Sequence, residues 1–321
     1  MKKIFIRLIA SALLCLLTVC PLSGCNKTED SGEIDISCTV FPIYDWVRSI
    51  VGDTEGVNVR LLVKNGTDVH SFQPSFEDMA TVKSSEAVVY IGGASDGWIG
   101  DSASNSAEKL AISELDGITL YSASDVTDSH THHDGDGHSH EEDFDEHLWL
   151  SIKNAKVTCK EIYELLCRLD SDNKQAYESN LAAYLSKLDT LEAAMTAIGE
   201  KADKPLLFAD RFPFVYLFSD HGIGCYAAFE GCSADTSADF ETVVRLAEKM
   251  NELELDHILV TESSDGQLAR SVISASERKQ AEILVLNSMQ TMGGSEMGST
   301  SYVDIMSENV AVLEKIFNSK E

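Results

Sequence analysis

Basic residues are scarce in this sequence. Twenty-five lysines and arginines face fifty-three acids, giving a net charge of −28 over 321 residues. That balance excludes nucleic-acid binding and a polybasic grip on membranes, both of which need a positive surface. It suits a soluble protein that attracts cations. No CxxC occurs, so a thiolate zinc site is not supported. No HExxH occurs either, which argues against a zinc-dependent hydrolase. Beyond the N-terminus there is no apolar run of membrane length.

The N-terminus is distinctive. Lys2, Lys3 and Arg7 precede a short apolar stretch, Leu8 to Cys20, that ends in Leu22-Ser23-Gly24-Cys25. Small residues just before a cysteine suit a lipoprotein-processing peptidase better than a plain signal peptide would require. Residues 1–24 are therefore expected to be a lipoprotein signal peptide, Cys25 the lipidated first residue of the mature chain, and 25–33 a flexible tether. The expected location is extracytoplasmic and anchored to the membrane by lipid. Five cysteines then remain. Cys225 and Cys232 are a candidate disulfide, whose small loop would contribute about 2.5 kcal/mol in the chain-entropy model.

An apolar content of 44% supports a core large enough for one big or two modest domains. Strands are expected at Ile34–Phe41, Val57–Val63 and Ala87–Ile91, with helices at Ile43–Val51, Ser75–Lys83 and Ser104–Ser113. The second half repeats the logic, with strands at Pro205–Ala209, His257–Thr261 and Ile283–Leu286 and helices at Phe240–Glu252 and Gly266–Lys279. Strands separated by helices predict parallel sheets with right-handed crossovers. Between the halves, Tyr177, Leu181, Tyr184, Leu188, Leu191, Met195 and Ile198 recur at 4-3-4-3-4-3, the stripe of one long helix; Asp172 with Gln175 resembles a capping box. A dimerising coiled coil is the alternative for this stripe, but one helix packed along two lobes accounts for its single occurrence, and a monomer is expected. The expected organisation is an N-terminal α/β lobe over 34–171, a linking helix over 172–202 and a C-terminal α/β lobe over 203–321, with a final helix near Ser301–Phe317.

The histidines carry the chemistry. His130, His132, His133, His138 and His140 fall in an acidic segment, 125–146, followed at once by His147, with nine carboxylates and no lysine or arginine among them. Neutral imidazole is a good ligand for Zn²⁺, Cu²⁺ and Ni²⁺. The segment reads as a solvated loop that collects metal weakly at several points. A tight site needs fixed ligands. His70 follows the strand Val57–Val63 and His147 precedes a helix near Ser151, and ligands in parallel α/β sheets bind beyond the carboxyl ends of strands. His221 and His257 read as structural.

Gly66-Thr67-Asp68-Val69-His70-Ser71-Phe72-Gln73-Pro74-Ser75 resembles the G-x-D-P-H-x-Y-x-P-S signature of the zinc and manganese receptors of ABC importers, and Asp145-Glu146-His147-Leu148-Trp149-Leu150 resembles their D-P-H-x-W-L. Val69, Phe72 and Glu146 depart from those patterns. The resemblance runs from Thr39-Val40-Phe41-Pro42 to Tyr302-Val303-Asp304. It implies the TroA-like fold, two Rossmann-like lobes joined by one long rigid helix, with a metal site in the cleft. It also implies that His70 and His147 ligate the ion, that the cargo is Zn²⁺ (Mn²⁺ as the alternative) and that the partner is a membrane permease. Where the family supplies a third ligand, alignment places Arg211, whose guanidinium cannot ligate a cation. Asp210 and Glu262 are the expected replacements, with Glu230 and Cys232 behind them; Asp68 and Asp145 are expected to orient the imidazoles. The competing readings are a manganese or iron receptor on the same fold, a metal-buffering or adhesive surface protein, and a zinc hydrolase.

Overall fold

The structure is a computed structural model that describes residues 33–64, 66–122, 144–231, 238–292 and 298–318. The expected signal peptide, Cys25, the five loop histidines and Cys232 lie outside the described residues.

Among the described residues the chain forms two four-stranded sheets. The first runs β1 (Ile34–Cys38), α1 (Phe41–Val51), β2 (Val57–Leu61), α2 (Phe76–Ser84), β3 (Ala87–Tyr90), α3 (Trp98–Ser102) and β4 (Glu108–Ala111). After a gap come α4 (Ile152–Leu169) and α5 (Lys174–Lys201). The second sheet follows as β5 (Leu206–Phe212), α6 (Val215–Ser219), β6 (Cys225–Glu230), α7 (Phe240–Glu252), β7 (His257–Thr261), α8 (Gln267–Ala275) and β8 (Glu282–Leu286), and α9 (Tyr302–Asn318) closes the chain. The strand orders are β2-β1-β3-β4 and β6-β5-β7-β8, all parallel. Each sheet is thus the same β-α-β-α-β-α-β unit wound the same way.

Parallel sheets bury both faces, and the side-chain alternation shows how. On β5, Phe208 and Phe212 join the main core while Leu207 and Ala209 join a second cluster with Leu246, Met250 and Val272 from α7 and α8. The main core is continuous across the two lobes. It takes in Ile36 and Trp46 from the first, Phe208 and Leu286 from the second, and the full stripe Tyr177 to Ile198 of α5. At 28 residues and 1.5 Å per residue, α5 spans roughly 42 Å. It packs on α1 and α4 and on α9, which leans against β8. Lobes welded through one core restrict hinge motion.

Several expectations are corrected. Ser104–Ser113 is not a helix: it contains β4 and a single turn of 3-10 helix, Ile112–Glu114. The helix formers Glu108, Lys109 and Leu110 yield to the ladder offered by β3, with Glu108 and Lys109 exposed on a sheet edge. Strand β6 was not foreseen. The helix α5 has no capping box at Asp172; instead Asp170 accepts from Asn173 Nδ2 at 2.8 Å and Tyr177 OH at 2.6 Å. Cys225 is a free, buried thiol, against the expected disulfide. It opens a strand that carries the backbone roughly 17 Å away by Glu230. The two further residues to Cys232 can recover at most about 7.6 Å, whereas a disulfide needs its Cα atoms within about 7 Å.

Candidate metal centre

His70 sits in a 3-10 turn, Val69–Ser71, just past the carboxyl end of β2. Asp68 caps that turn: its Oδ1 accepts the His70 backbone N–H at 2.9 Å. The imidazole is oriented elsewhere. Its Nδ1 lies 2.9 Å from Ser95 Oγ and 3.2 Å from Glu146 Oε2. Ser95 in turn donates its hydroxyl to Glu146 Oε2 and its backbone N–H to Glu146 Oε1, the latter at 2.9 Å. The loop that carries Ser95 is wound around Asp96, which accepts from the backbone N–H groups of Ile91, Gly92 and Gly93. At Gly93 an added methyl would collide with the Glu146 carboxylate, so the absence of a side chain there lets the acid approach. Burial acts to raise the Glu146 carboxyl, but hydrogen bonds from His70 and Ser95 outweigh it and hold the group down at about 2. It is therefore a pure acceptor, and His70 Nδ1 must carry the proton.

His147 is fully buried in a short loop before α4. The loop is clamped from the second lobe. Tyr216 OH donates to the Asp145 carbonyl at 2.6 Å, Trp149 Nε1 to the Ser288 carbonyl at 2.9 Å, and Tyr302 OH to the Trp149 carbonyl at 2.8 Å. Asp145 Oδ1 accepts both the His147 backbone N–H at 2.9 Å and its Nδ1–H at 2.7 Å. Both imidazoles therefore have Nδ1–H donors tied to carboxylates and unprotonated Nε2 atoms.

Those two Nε2 atoms face each other at 3.2 Å, in rings whose centroids are 5.1 Å apart. Two acceptor lone pairs at that distance repel unless something electropositive lies between them. A tetrahedral zinc with Zn–N of 2.0–2.1 Å holds two ligating nitrogens roughly 3.3–3.4 Å apart. The carboxylate–imidazole pairing is also the arrangement that raises ligand basicity and fixes the tautomer in zinc sites.

The second lobe contributes differently. Asp210 on β5 spends its oxygens on the Thr261 hydroxyl at 2.6 Å, the Thr261 N–H at 3.3 Å and the Arg211 N–H at 2.8 Å. Glu262, past β7, accepts from Ser288 N–H and Oγ, each at 2.8 Å. Among the described residues no third His, Cys, Asp or Glu joins the two imidazoles in a group able to hold a metal. The expected roles of Asp210 and Glu262 as ligands find no support in this arrangement: both carboxylates stitch the strand ends together. Arg211 reaches across the cleft, its Nη2 3.1 Å from Asp68 Oδ2. What approaches the imidazoles is Gln290, in the loop after β8, whose side-chain amide contacts His147 Nε2.

The profile of the family described as "Zinc-uptake complex component A periplasmic" matches residues 36–316. The chain belongs to that family. It is 27% identical over 98% of its length to the zinc-binding lipoprotein AdcA of Streptococcus pneumoniae, of which it spans 61%. It is 25% identical to the high-affinity zinc uptake system protein ZnuA of Bacillus subtilis, with 95% of each chain covered. The solved Zn(II)-bound ZnuA-like domain of S. pneumoniae AdcA superposes with a TM-score of 0.70 at 23% identity, covering 89% of this chain and 99% of that one. The zinc-binding protein TroA of Treponema pallidum gives 0.70 at 20% identity, over 89% and 99%. These neighbours establish the TroA-like two-lobed fold.

Within that fold, three functional neighbours escape a reading of the sequence. Ser95 and Glu146 are 51 residues apart, and nothing local announces that they would share a hydrogen bond beneath His70. Gln290 carries no charge and no imidazole. Of the two expected orienting acids, Asp145 holds its imidazole, whereas Asp68 holds the backbone of His70 and leaves the ring to Glu146 and Ser95. His221 is structural as expected, donating Nδ1–H to the Leu217 carbonyl at 2.8 Å.

Proposed function

We propose that this chain is a lipid-anchored, extracytoplasmic receptor that captures Zn²⁺ between its lobes and delivers it to the permease of an ABC-type importer. It binds and hands on, as a monomer, and transforms nothing. The observation that supports this reading best is the pair of Nε2 atoms 3.2 Å apart, each on an imidazole whose Nδ1 is held by a carboxylate. Membership of a zinc-uptake family and the zinc-binding names of the relatives point the same way. Nitrogen donors favour zinc over manganese, which prefers a shell of oxygens. The histidines at 130, 132, 133, 138 and 140 would gather the ion from dilute solution and pass it to His70 and His147. Gln290 would complete the shell through its amide oxygen, with solvent in the remaining position.

Calorimetry on the His70→Ala, His147→Ala double variant is the direct test. The high-affinity phase should vanish while weak binding by the histidine-rich segment persists. Retention of tight zinc binding in that variant would reject the proposal.

A further inference from the structure

Two aromatic side chains stand out for having no cover. Phe76 is 89% exposed and Phe240 is 84% exposed, far above the other exposed large apolar side chains among the described residues, Val285 at 48% and Leu120 at 45%. Their places in the fold are equivalent. Each sheet is built by the same β-α-β-α-β-α-β winding, and each phenylalanine is the first residue of the helix between the second and third strands of its sheet, α2 in one and α7 in the other. The local sequences match as well: Ser75-Phe76-Glu77-Asp78 and Asp239-Phe240-Glu241-Thr242. Both segments are held rigidly. Ser75 and Asp78 form a reciprocal capping box, and Asp239 Oδ1 accepts the Thr242 N–H at 2.7 Å. Helices that follow parallel strands begin at the carboxyl edge of the sheet, the edge that also carries His70 and Gln290. The two Phe-Glu pairs therefore lie on the cleft side, one on each lobe.

An exposed phenylalanine fixed at a capped helix start costs solvation and gains nothing inside the monomer. The same device repeated at equivalent points of two like-folded lobes calls for a partner that repeats its own receptor site. We infer that Phe76-Glu77 and Phe240-Glu241 are the two docking points of this chain on a membrane permease built from two-fold-related subunits. Each subunit would offer an apolar pocket for the ring and a basic rim. The basic rim follows from charge: Glu77 and Asp78 flank one ring and Asp239 and Glu241 the other, on a chain of net charge −28. Aromatic anchors are the usual centres of binding energy, and two linked contacts multiply their effect without a large interface. With a docking point on each lobe, the cleft mouth would sit over the axis between the subunits. This inference rests on the receptor reading above.

The test uses the full-length lipoprotein in cells lacking their own copy, grown under zinc chelation, with uptake of radioactive zinc as the readout. Wild-type chain should restore uptake. Phe76→Ser or Phe240→Ser should each lower it severalfold, and the double variant by about tenfold or more. Zinc affinity by calorimetry and the melting temperature should stay at wild-type values, because neither ring packs in the core. Charge reversal at Glu77→Lys plus Glu241→Lys should lower uptake in the same way, independently of the aromatic change. Normal uptake by both double variants would overturn the docking assignment while leaving the zinc receptor intact. If the wild-type chain itself fails to restore uptake, the receptor reading falls and takes this one with it. If sedimentation shows the wild type dimerising and the Phe76→Ser, Phe240→Ser chain monomeric, the rings serve self-association and the assignment is wrong.

Discussion

The two walls of the cleft are built from the same topological unit yet offer an ion opposite things. The first lobe presents two imidazoles, each backed by a carboxylate and aimed at a common point. The second lobe presents a guanidinium and a neutral amide, and its nearby acids are spent on hydrogen bonds among strand ends. Fold symmetry does not carry site symmetry. The difference teaches that ligation in this chain is decided by what each loop leaves uncommitted: Asp210 and Glu262 have the right chemistry at the right strand ends, but Thr261 and Ser288 already hold them.

That contrast can be broken most severely from the first lobe. Replacing Glu146 by Gln keeps the shape but removes the anion that fixes the His70 tautomer. Zinc affinity should fall by about 10–100-fold, the usual cost of losing an outer acceptor of a ligating histidine. The acid form of Glu146 is not what limits binding at low pH. With its carboxyl held at about 2, below its ordinary 4.5, the group stays charged down to strongly acidic solution, and the stability it confers is lost only as pH falls from about 4.5 towards 2. Weakening of zinc binding below about pH 6.5 should therefore come from protonation of the imidazoles, and should survive in Glu146→Gln. Calorimetric titrations at pH 7.5 and 5.5 on both chains separate the two effects. Equal affinity of variant and wild type at pH 7.5 would mean that Ser95 alone orients His70.

The contrast can be sharpened from the second lobe. Arg211 bonds to Asp68, which in turn holds the backbone of His70. Its positive charge across the cleft opposes a divalent ion, and its side chain occupies space where another donor would serve. Arg211→His removes the cation and supplies a third imidazole. Zinc affinity should rise by about tenfold, measured by competition with a chromogenic chelator. Unchanged or weaker binding would show that the Arg211–Asp68 bridge is needed to hold the His70 turn in place.

How much of this was legible beforehand depends on where the signal lies. The stripe of α5 was readable because seven apolar residues keep a 4-3 spacing without a fault, and all seven are buried. His70 and His147 were readable because their flanking motifs are local. Strands β4 and β6 were not: Glu-Lys-Leu-Ala and Cys-Tyr-Ala-Ala-Phe-Glu contain no β-branched residue, and their extended form comes from the neighbouring strand. The fate of Asp210, Glu262 and Cys225 also lay beyond local reading, because each is settled by partners or strand geometry that exist only once the second sheet has formed. The pairing of Ser95 with Glu146 is of the same kind.

The smallest expected effect belongs to Gln290. Its amide touches His147 Nε2, the lone pair on which ligation would depend. Before an ion arrives, the amide N–H satisfies that acceptor. On binding, the side chain must turn so that its oxygen, not its nitrogen, faces the metal. A neutral carbonyl oxygen is a modest ligand for zinc beside imidazole, and the N–H bond given up offsets part of the gain. Gln290→Ala should therefore weaken zinc binding by only about two- to fivefold, while the apo protein becomes slightly less stable because a buried imidazole acceptor loses its donor. The two readouts, chelator competition and apo melting temperature, move independently. A loss of affinity above a hundredfold would place Gln290 on a par with the imidazoles and erase the asymmetry between the two walls. No change in either measurement would leave the second lobe without a direct hand in the site.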